Sequence, residues 1–166
     1  MDQPLVTIIC LCYNHERFLE EALRSVISQS YPEKQIIVVD DASTDNSSAL
    51  IRKVIGHYPA IEFLPLPHNS GICAAFNRGL ALAKGEFIVD FATDDVMMPE
   101  KIRRQVEFFS RLDASYGVIF SDAIYINTHG KFVRSHFQHL LSRKLISRIP
   151  EGNIYRDVLS RYFIPS

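Results

Sequence analysis

The chain has 166 residues, 47% of them hydrophobic and 22% charged, the composition of one soluble globular domain able to bury roughly 70% of its unfolded surface. Eighteen basic residues against nineteen acidic ones leave a net charge of −1, which excludes a binder of nucleic acid or anionic lipid that works through bulk charge. No basic leader precedes an apolar stretch of signal length and no run of 18 apolar residues occurs, so the chain reads as soluble and cytoplasmic.

Leu5 to Leu11 is a continuous apolar run of strand length, the mark of a strand buried on both faces. It carries Cys10 and Cys12. With Cys73 these make an odd set, read as reduced thiols; no second cysteine pair is present to build a metal site. Phe18, Leu19, Ala22, Leu23, Val26 and Ile27 then recur at helical spacing, with Asn14 as the expected N-cap and Tyr31-Pro32 as the stop. Gln35 to Val39 predicts a second strand, which runs into Asp40 and Asp41. The loop Ser43 to Asn46 feeds a helix through Leu50, Ile51, Val54 and Ile55, with Gly56 expected at C′.

Ile61 to Leu66 predicts a third strand whose proline puts it at an edge. Ile72 to Ala83 reads as a helix, Glu86 to Phe91 as a fourth strand, and Pro99 as the first turn of a helix through Ile102, Val106, Phe109 and Leu112. This alternation argues for an α/β fold with a mostly parallel sheet and helices on both faces. The pattern then changes. Gly117 to Phe120 reads as a strand, and Ala123 to Asn127 with Lys131 to Ser135 as a hairpin around Thr128-His129-Gly130. A basic segment with Arg143, Lys144 and Arg148 follows; a wet surface explains it better than a phosphate lid. An amphipathic stretch through Ile154, Tyr155, Val158, Leu159 and Tyr162 comes next. The final Phe163-Ile164-Pro165-Ser166 is apolar for a natural C-terminus, so truncation is expected.

Ligands of open parallel sheets bind beyond the carboxyl ends of the strands. There the first strand delivers Tyr13 and Asn14, the second Asp40 and Asp41, and the fourth Asp94 and Asp95. An aromatic face beside an ionised carboxylate suits uracil, whose N3–H a carboxylate accepts in a bond of about 1.5–3 kcal/mol. A turn capping the next helix accounts equally well for a single such acid. Asp94 and Asp95 suit Mn2+ or Mg2+, hard cations that would draw in a diphosphate; helix capping is their alternative. Asn69-Ser70-Gly71 turns into a helix N-terminus, a place for phosphate or ribose. Arg78, two turns on, either reaches the diphosphate or base or lies on a solvated helix face. The six histidines show no ligand spacing.

The stretches VTIICLCYNHERFLEEALRSVISQSY, IIVVDDASTDNS, HNSGICAAFNRGLALAKGEFI and ATDDVMMPEKI, over roughly residues 4 to 112, resemble the family 2 glycosyltransferases. The resemblance implies a GT-A type, Rossmann-like fold and an inverting transfer from a nucleotide-diphospho-sugar, a UDP-sugar, to a saccharide or glycolipid acceptor. It implies that Tyr13 stacks on the base, that Asp41 bonds it with Asp40 adjacent, and that Asn14, Asn69, Gly71 and Arg78 complete the nucleotide-sugar site. Asp94 and Asp95 fall on the motif for metal and diphosphate, with Asp95 the stronger candidate ligand. The family commonly has an aspartate where this chain has Ala92, a departure that weakens the metal reading. The resemblance divides a single domain, residues 1 to 166, into a nucleotide-binding core, 1 to 112, and the start of an acceptor-side region, 113 to 166. The general base is expected beyond residue 166, and the alternative is a nucleotide-binding fragment without chemistry. A peripheral place at the inner face of the membrane is implied for the full-length protein, in polysaccharide or cell-envelope synthesis. A receiver-type phosphate regulator fits less well, because its acidic pair follows the first strand, where this chain has Cys12-Tyr13-Asn14.

Overall fold

The computed structural model describes residues 3–127, 129–154 and 157, which divide into two compact units, Met1–Phe108 and Phe109–Ser166. The first unit contains β1 (Val6–Cys12), α1 (Leu19–Ile27), β2 (Lys34–Asp40), α2 (Ser47–Ile55), β3 (Glu62–Pro65), α3 (Ile72–Leu80) and β4 (Phe87–Ala92), and α4 (Lys101–Phe109) closes it. Its four strands are all parallel, in the order β3-β2-β1-β4. The chain winds one way from β1 to β3 and then crosses back to β4, so the order reverses between β1 and β4. In open α/β sheets that reversal opens a crevice at the carboxyl ends.

β1 has no polar face because both faces are covered, and all seven of its residues are buried. Ile8, Cys10, Ile36 and Val38 pack under Leu19, Ala22, Leu23 and Val26 of α1, Ile51 and Val54 of α2, and Ile102 of α4. The alternate residues Ile9, Leu11, Ile37 and Val39 face the other way, against Ala75 and Phe76 of α3. Each aliphatic side chain so enclosed contributes about 1.5–3 kcal/mol, against the entropy of ordering it. The register pairs Cys12 with Asp40, Leu11 with Ala92 and Asp40 with Pro65, so the four strands end nearly level. Whatever follows them emerges on one rim.

Several expectations change locally. Asn14 does not cap α1. The helix starts at Leu19 with Phe18 at its N-cap, after a turn in which the His15 carbonyl accepts from Phe18 and Leu19. Gly56 has φ −55°, not the left-handed conformation of a C′ glycine. α3 stops at Leu80 and tightens into i→i−3 bonds from Leu82 and Ala83.

The second unit holds the hairpin β5 (Ile124–Ile126) and β6 (Phe132–Ser135), antiparallel as expected, and α5 (His136–Ser142), which was not. Residues 117–120 form no strand. Phe137 and Ile146 center a small cluster with Phe120, Leu140 and Ile154. Arg143, Lys144 and Arg148 are exposed. Thr128 of the expected turn and Tyr155, Val158, Leu159, Tyr162 and Phe163 to Ser166 lie outside the described residues.

Candidate functional site at the strand ends

Leaving β1, the backbone turns sharply through Asn14, which takes a left-handed φ of 59°. That conformation aims its side chain back at the loop after β2. Asn14 Oδ1 accepts from Thr44 N at 2.7 Å, Thr44 Oγ1 at 3.2 Å and Asp45 N at 3.3 Å, while Asn14 N donates to Ser43 Oγ. Glu16 and the 45–46 segment exchange two further bonds, Glu16 N to Asp45 Oδ2 and Asn46 N to Glu16 Oε2. The two loops are thus one hydrogen-bonded body, and Tyr13 stands on it, 42% exposed.

Asp40 and Asp41 are both buried, yet they do different things. Asp40 Oδ1 accepts from Ser43 N at 3.1 Å and tightens its own turn. Asp41 reaches across to the loop before α3. Its Oδ1 accepts from Ser70 N (2.8 Å) and Ser70 Oγ (2.9 Å), and its Oδ2 from Gly71 N (2.8 Å). Neither acid caps α2; Asp45 Oδ1, accepting from Ser47 N, serves that helix. A carboxylate has about four lone-pair sites, so Asp41 keeps capacity for one more donor. Gly71 carries φ +83° at the N-cap of α3, and Asn69 Oδ1 also accepts from its N–H.

After β4, Thr93 is fully buried and the carboxylates that follow are exposed. Thr93 N and Thr93 Oγ1 both donate to the Leu11 carbonyl, tying the end of β4 to β1. His15 Nδ1 lies 2.9 Å from Thr93 Oγ1, and His15 Nε2 lies 3.8 Å from Asp94 Oδ2. Packing around the Asp95 carboxyl, then the neighbouring Asp94 charge, push its pKa up, against the pull of Lys101 and His15. Burial pushes the Lys101 ammonium down, and the Asp95 charge opposes that. The segment beyond is pinned from α1 and the turn after it: Met97 N donates to Ser25 Oγ, and buried Gln29 bonds Met98 O and Ile102 N.

Tyr13, Asn14, Asp40, Asp41, Asn69, Gly71, Asp94 and Asp95 therefore sit on segments joined by hydrogen bonds at the carboxyl edge of one sheet. Arg78 is exposed in the last turn of α3 and makes no ion pair with this rim among the described residues. His15 and Gln29 were not read from the sequence, and Ser70 was read as part of a turn but not as the partner of Asp41. Their partners lie 78, 69 or more and 29 positions away, and no local spacing marks them. Among the described residues no three His, Cys, Asp or Glu side chains surround one point. The rim does offer hard carboxylate oxygens and one imidazole. That donor set fits a divalent ion held by one or two protein ligands, with water and diphosphate oxygens completing its shell.

Residues 7–161 match the profile of glycosyl transferase family 2. An uncharacterized glycosyltransferase of Haemophilus influenzae is 35% identical over 108 residues, 65% of this chain and 43% of that protein. The putative teichuronic acid biosynthesis glycosyltransferase TuaG of Bacillus subtilis is 31% identical over 114 residues, 69% of this chain and 45% of its own. Among solved structures, S. aureus TarS 1–349 in complex with UDP-GlcNAc superposes with a TM-score of 0.60 at 29% identity, covering 64% of this chain and 31% of that one. The mannosyltransferase PcManGT of Pyrobaculum calidifontis, in complex with GDP-Man and Mn2+, gives 0.63 at 27% identity, over 70% and 34%. The chain spans less than half the length of these proteins.

Proposed function

Because the chain belongs to glycosyl transferase family 2, we propose that its rim binds a nucleotide-diphospho-sugar together with a divalent cation and hands the sugar to a saccharide or lipid-linked acceptor. The observation that carries this reading is the placement of Tyr13, Asp41 and the Asp94-Asp95 pair at level strand ends, beside the reversal of strand order. In it, the exposed Tyr13 ring stacks on the base and the remaining lone pair of Asp41 accepts the base N–H. Asp40 holds the turn that presents Asp41. The Asn69 side chain, Gly71 and the start of α3 face ribose or phosphate, the Ser70 and Gly71 N–H groups themselves being held by Asp41, and Arg78 adds positive charge from the exposed side of α3. Asp94 and Asp95 hold Mn2+ or Mg2+, which when bound neutralises the diphosphate and the charge developing on it as it leaves. Transfer is a single displacement: the acceptor hydroxyl gives its proton to a general base, its oxygen bonds the anomeric carbon, the bond to the diphosphate breaks with its electron pair going to the departing nucleoside diphosphate, and the configuration inverts.

The donor base is uracil in this reading, supported by the likeness to TarS, whose structures hold UDP and UDP-GlcNAc. The likeness to PcManGT with GDP-Man favours a second reading. Guanine also presents N–H donors that one carboxylate can accept, whereas cytosine presents an acceptor there and is repelled. Calorimetric titration with UDP, GDP and CDP, each with and without Mn2+, tests both. UDP binding strengthened by Mn2+ and weakened about tenfold or more in Asp41→Ala, the loss of one charge-assisted bond, is the expected result. Preference for GDP replaces uracil by guanine, and binding of none removes the donor site.

A further inference from the structure

His15 is held in a way that the donor-site reading leaves unused. Its backbone N–H donates to Ser47 Oγ at 3.0 Å, fixing the main chain. Its ring is fixed separately by the 2.9 Å contact between Nδ1 and Thr93 Oγ1. The Thr93 hydroxyl has one proton, and that proton goes to the Leu11 carbonyl, which can only accept. With the hydroxyl proton directed to Leu11, Thr93 Oγ1 accepts from His15 and Nδ1 carries a hydrogen. In the neutral ring Nε2 is then a bare lone pair.

That lone pair faces Asp94 Oδ2 at 3.8 Å, too far for a hydrogen bond and the wrong partner for a lone pair. The gap suits a cation. Cis ligands on an octahedral ion with bonds of about 2.1 Å stand about 3.0 Å apart, so a movement of under about 1 Å by the half-exposed Asp94 side chain would let one ion bind both atoms. Metal-binding histidines typically donate their second ring nitrogen to an oxygen, which sets the tautomer and raises ligand basicity. The chain from Nδ1 through Thr93 to the Leu11 carbonyl is such an arrangement. The ring is only 24% exposed, so it enters an open rim from a packed base.

We propose that His15 Nε2, with Asp94, is a protein ligand of the divalent cation at this rim. The proposal rests on the donor-site reading and deepens it. It brings a ligand from the loop after β1 to an ion otherwise held from the loop after β4, and so couples Tyr13 to the diphosphate end. A nitrogen ligand also tilts the site toward a transition ion, Mn2+, over Mg2+.

The test is Mn2+ electron paramagnetic resonance on the full chain, with and without UDP, for wild type and His15→Asn. The asparagine amide can keep the bond to Thr93 while removing Nε2. The expected result is a Mn2+ dissociation constant raised about tenfold or more in the variant, with the Mn2+-over-Mg2+ preference reduced. Wild type gives an independent reading, since bound Mn2+ should broaden the His15 ring proton resonances before those of the other histidines. Equal Mn2+ affinity in both proteins with His15 resonances unbroadened overturns the ligand role and leaves UDP binding standing. UDP binding by wild type without any Mn2+ binding overturns it in the same way. Failure of wild type to bind UDP under either condition overturns the donor site and the ligand together.

Discussion

Cys10 and Cys12 lie inside β1, and burial pushes both thiols up, aided at Cys10 by the Asp90 charge and opposed at Cys12 by the neighbouring Thr93, Ser47 and Ser43 hydroxyls. Cys73 is exposed on α3. Because the thiolate is the reacting species, an aromatic disulfide reagent should titrate one thiol of native protein rapidly and all three only in denaturant. Two fast thiols would mean that β1 opens readily. Asp95 gives a prediction of opposite character. Its raised pKa favours the folded state where the carboxyl is protonated, and that stabilisation is lost as pH rises through the raised value. Asp95→Asn should therefore melt higher than wild type at neutral pH without metal. The gap should narrow as pH falls and close below the ordinary aspartate range of about 4, where the carboxyl is protonated in folded and unfolded chains alike. A gap that does not change with pH would show that another interaction sets it. The acids were legible in the sequence because they end apolar runs. Their division of labour was not: Asp40 closes a local turn while Asp41 reaches 29 residues onward, and adjacent identical letters give no sign of it.

β1, β2 and the helices that cover them announced themselves because an unbroken β-branched run has few alternatives to a strand buried on both faces. The apolar run at 117–120 had the same look, but it forms no strand and does not bury fully, since strand formation needs a neighbour that composition cannot supply. α5 was passed over between the expected hairpin and the basic segment, although Ser135 and Gln138 sit at capping-box spacing and Ser135 Oγ does accept from Gln138 N. The connection least visible in the sequence is Gln29, just past α1, which bonds the segment following Asp94-Asp95 through Met98 O and Ile102 N. Gln29→Ala strands the buried Ile102 N–H and releases the Met98 carbonyl, and should cost roughly 1–3 kcal/mol in urea unfolding, while weakening Mn2+ and UDP binding. A loss below about 0.5 kcal/mol would show that water replaces the amide. Gly85 makes the complementary case at the start of β4. A Cβ there would stand 2.5 Å from Thr7 N and 2.8 Å from Leu5 O, backbone that cannot step aside, so Gly85→Ala should destabilise by roughly 1–3 kcal/mol.

Each of the two units has a core of its own. The clusters on both faces of the parallel sheet draw only on residues up to Val106, and the cluster around Phe137 and Ile146 only on residues 120 to 154. All the rim residues, from Tyr13 to Asp95, belong to the first unit, as do the hydrogen bonds that join their loops. A fragment of residues 1 to 112, which keeps α4 whole, loses none of those bonds. At this length a single core supports independent folding. The fragment should therefore unfold cooperatively and bind UDP with Mn2+ within about threefold of the full chain, a difference of under about 1 kcal/mol. Calorimetry on fragment and full chain decides it. If the fragment folds but its affinity drops more than about tenfold, residues beyond 112 contribute directly to the donor, and the division into a donor-binding core and an acceptor-side remainder fails. If it does not fold, the sheet depends on the second unit despite its separate core. Retained affinity would place nucleotide recognition wholly in the parallel sheet and its loops, leaving the hairpin and α5 for the acceptor.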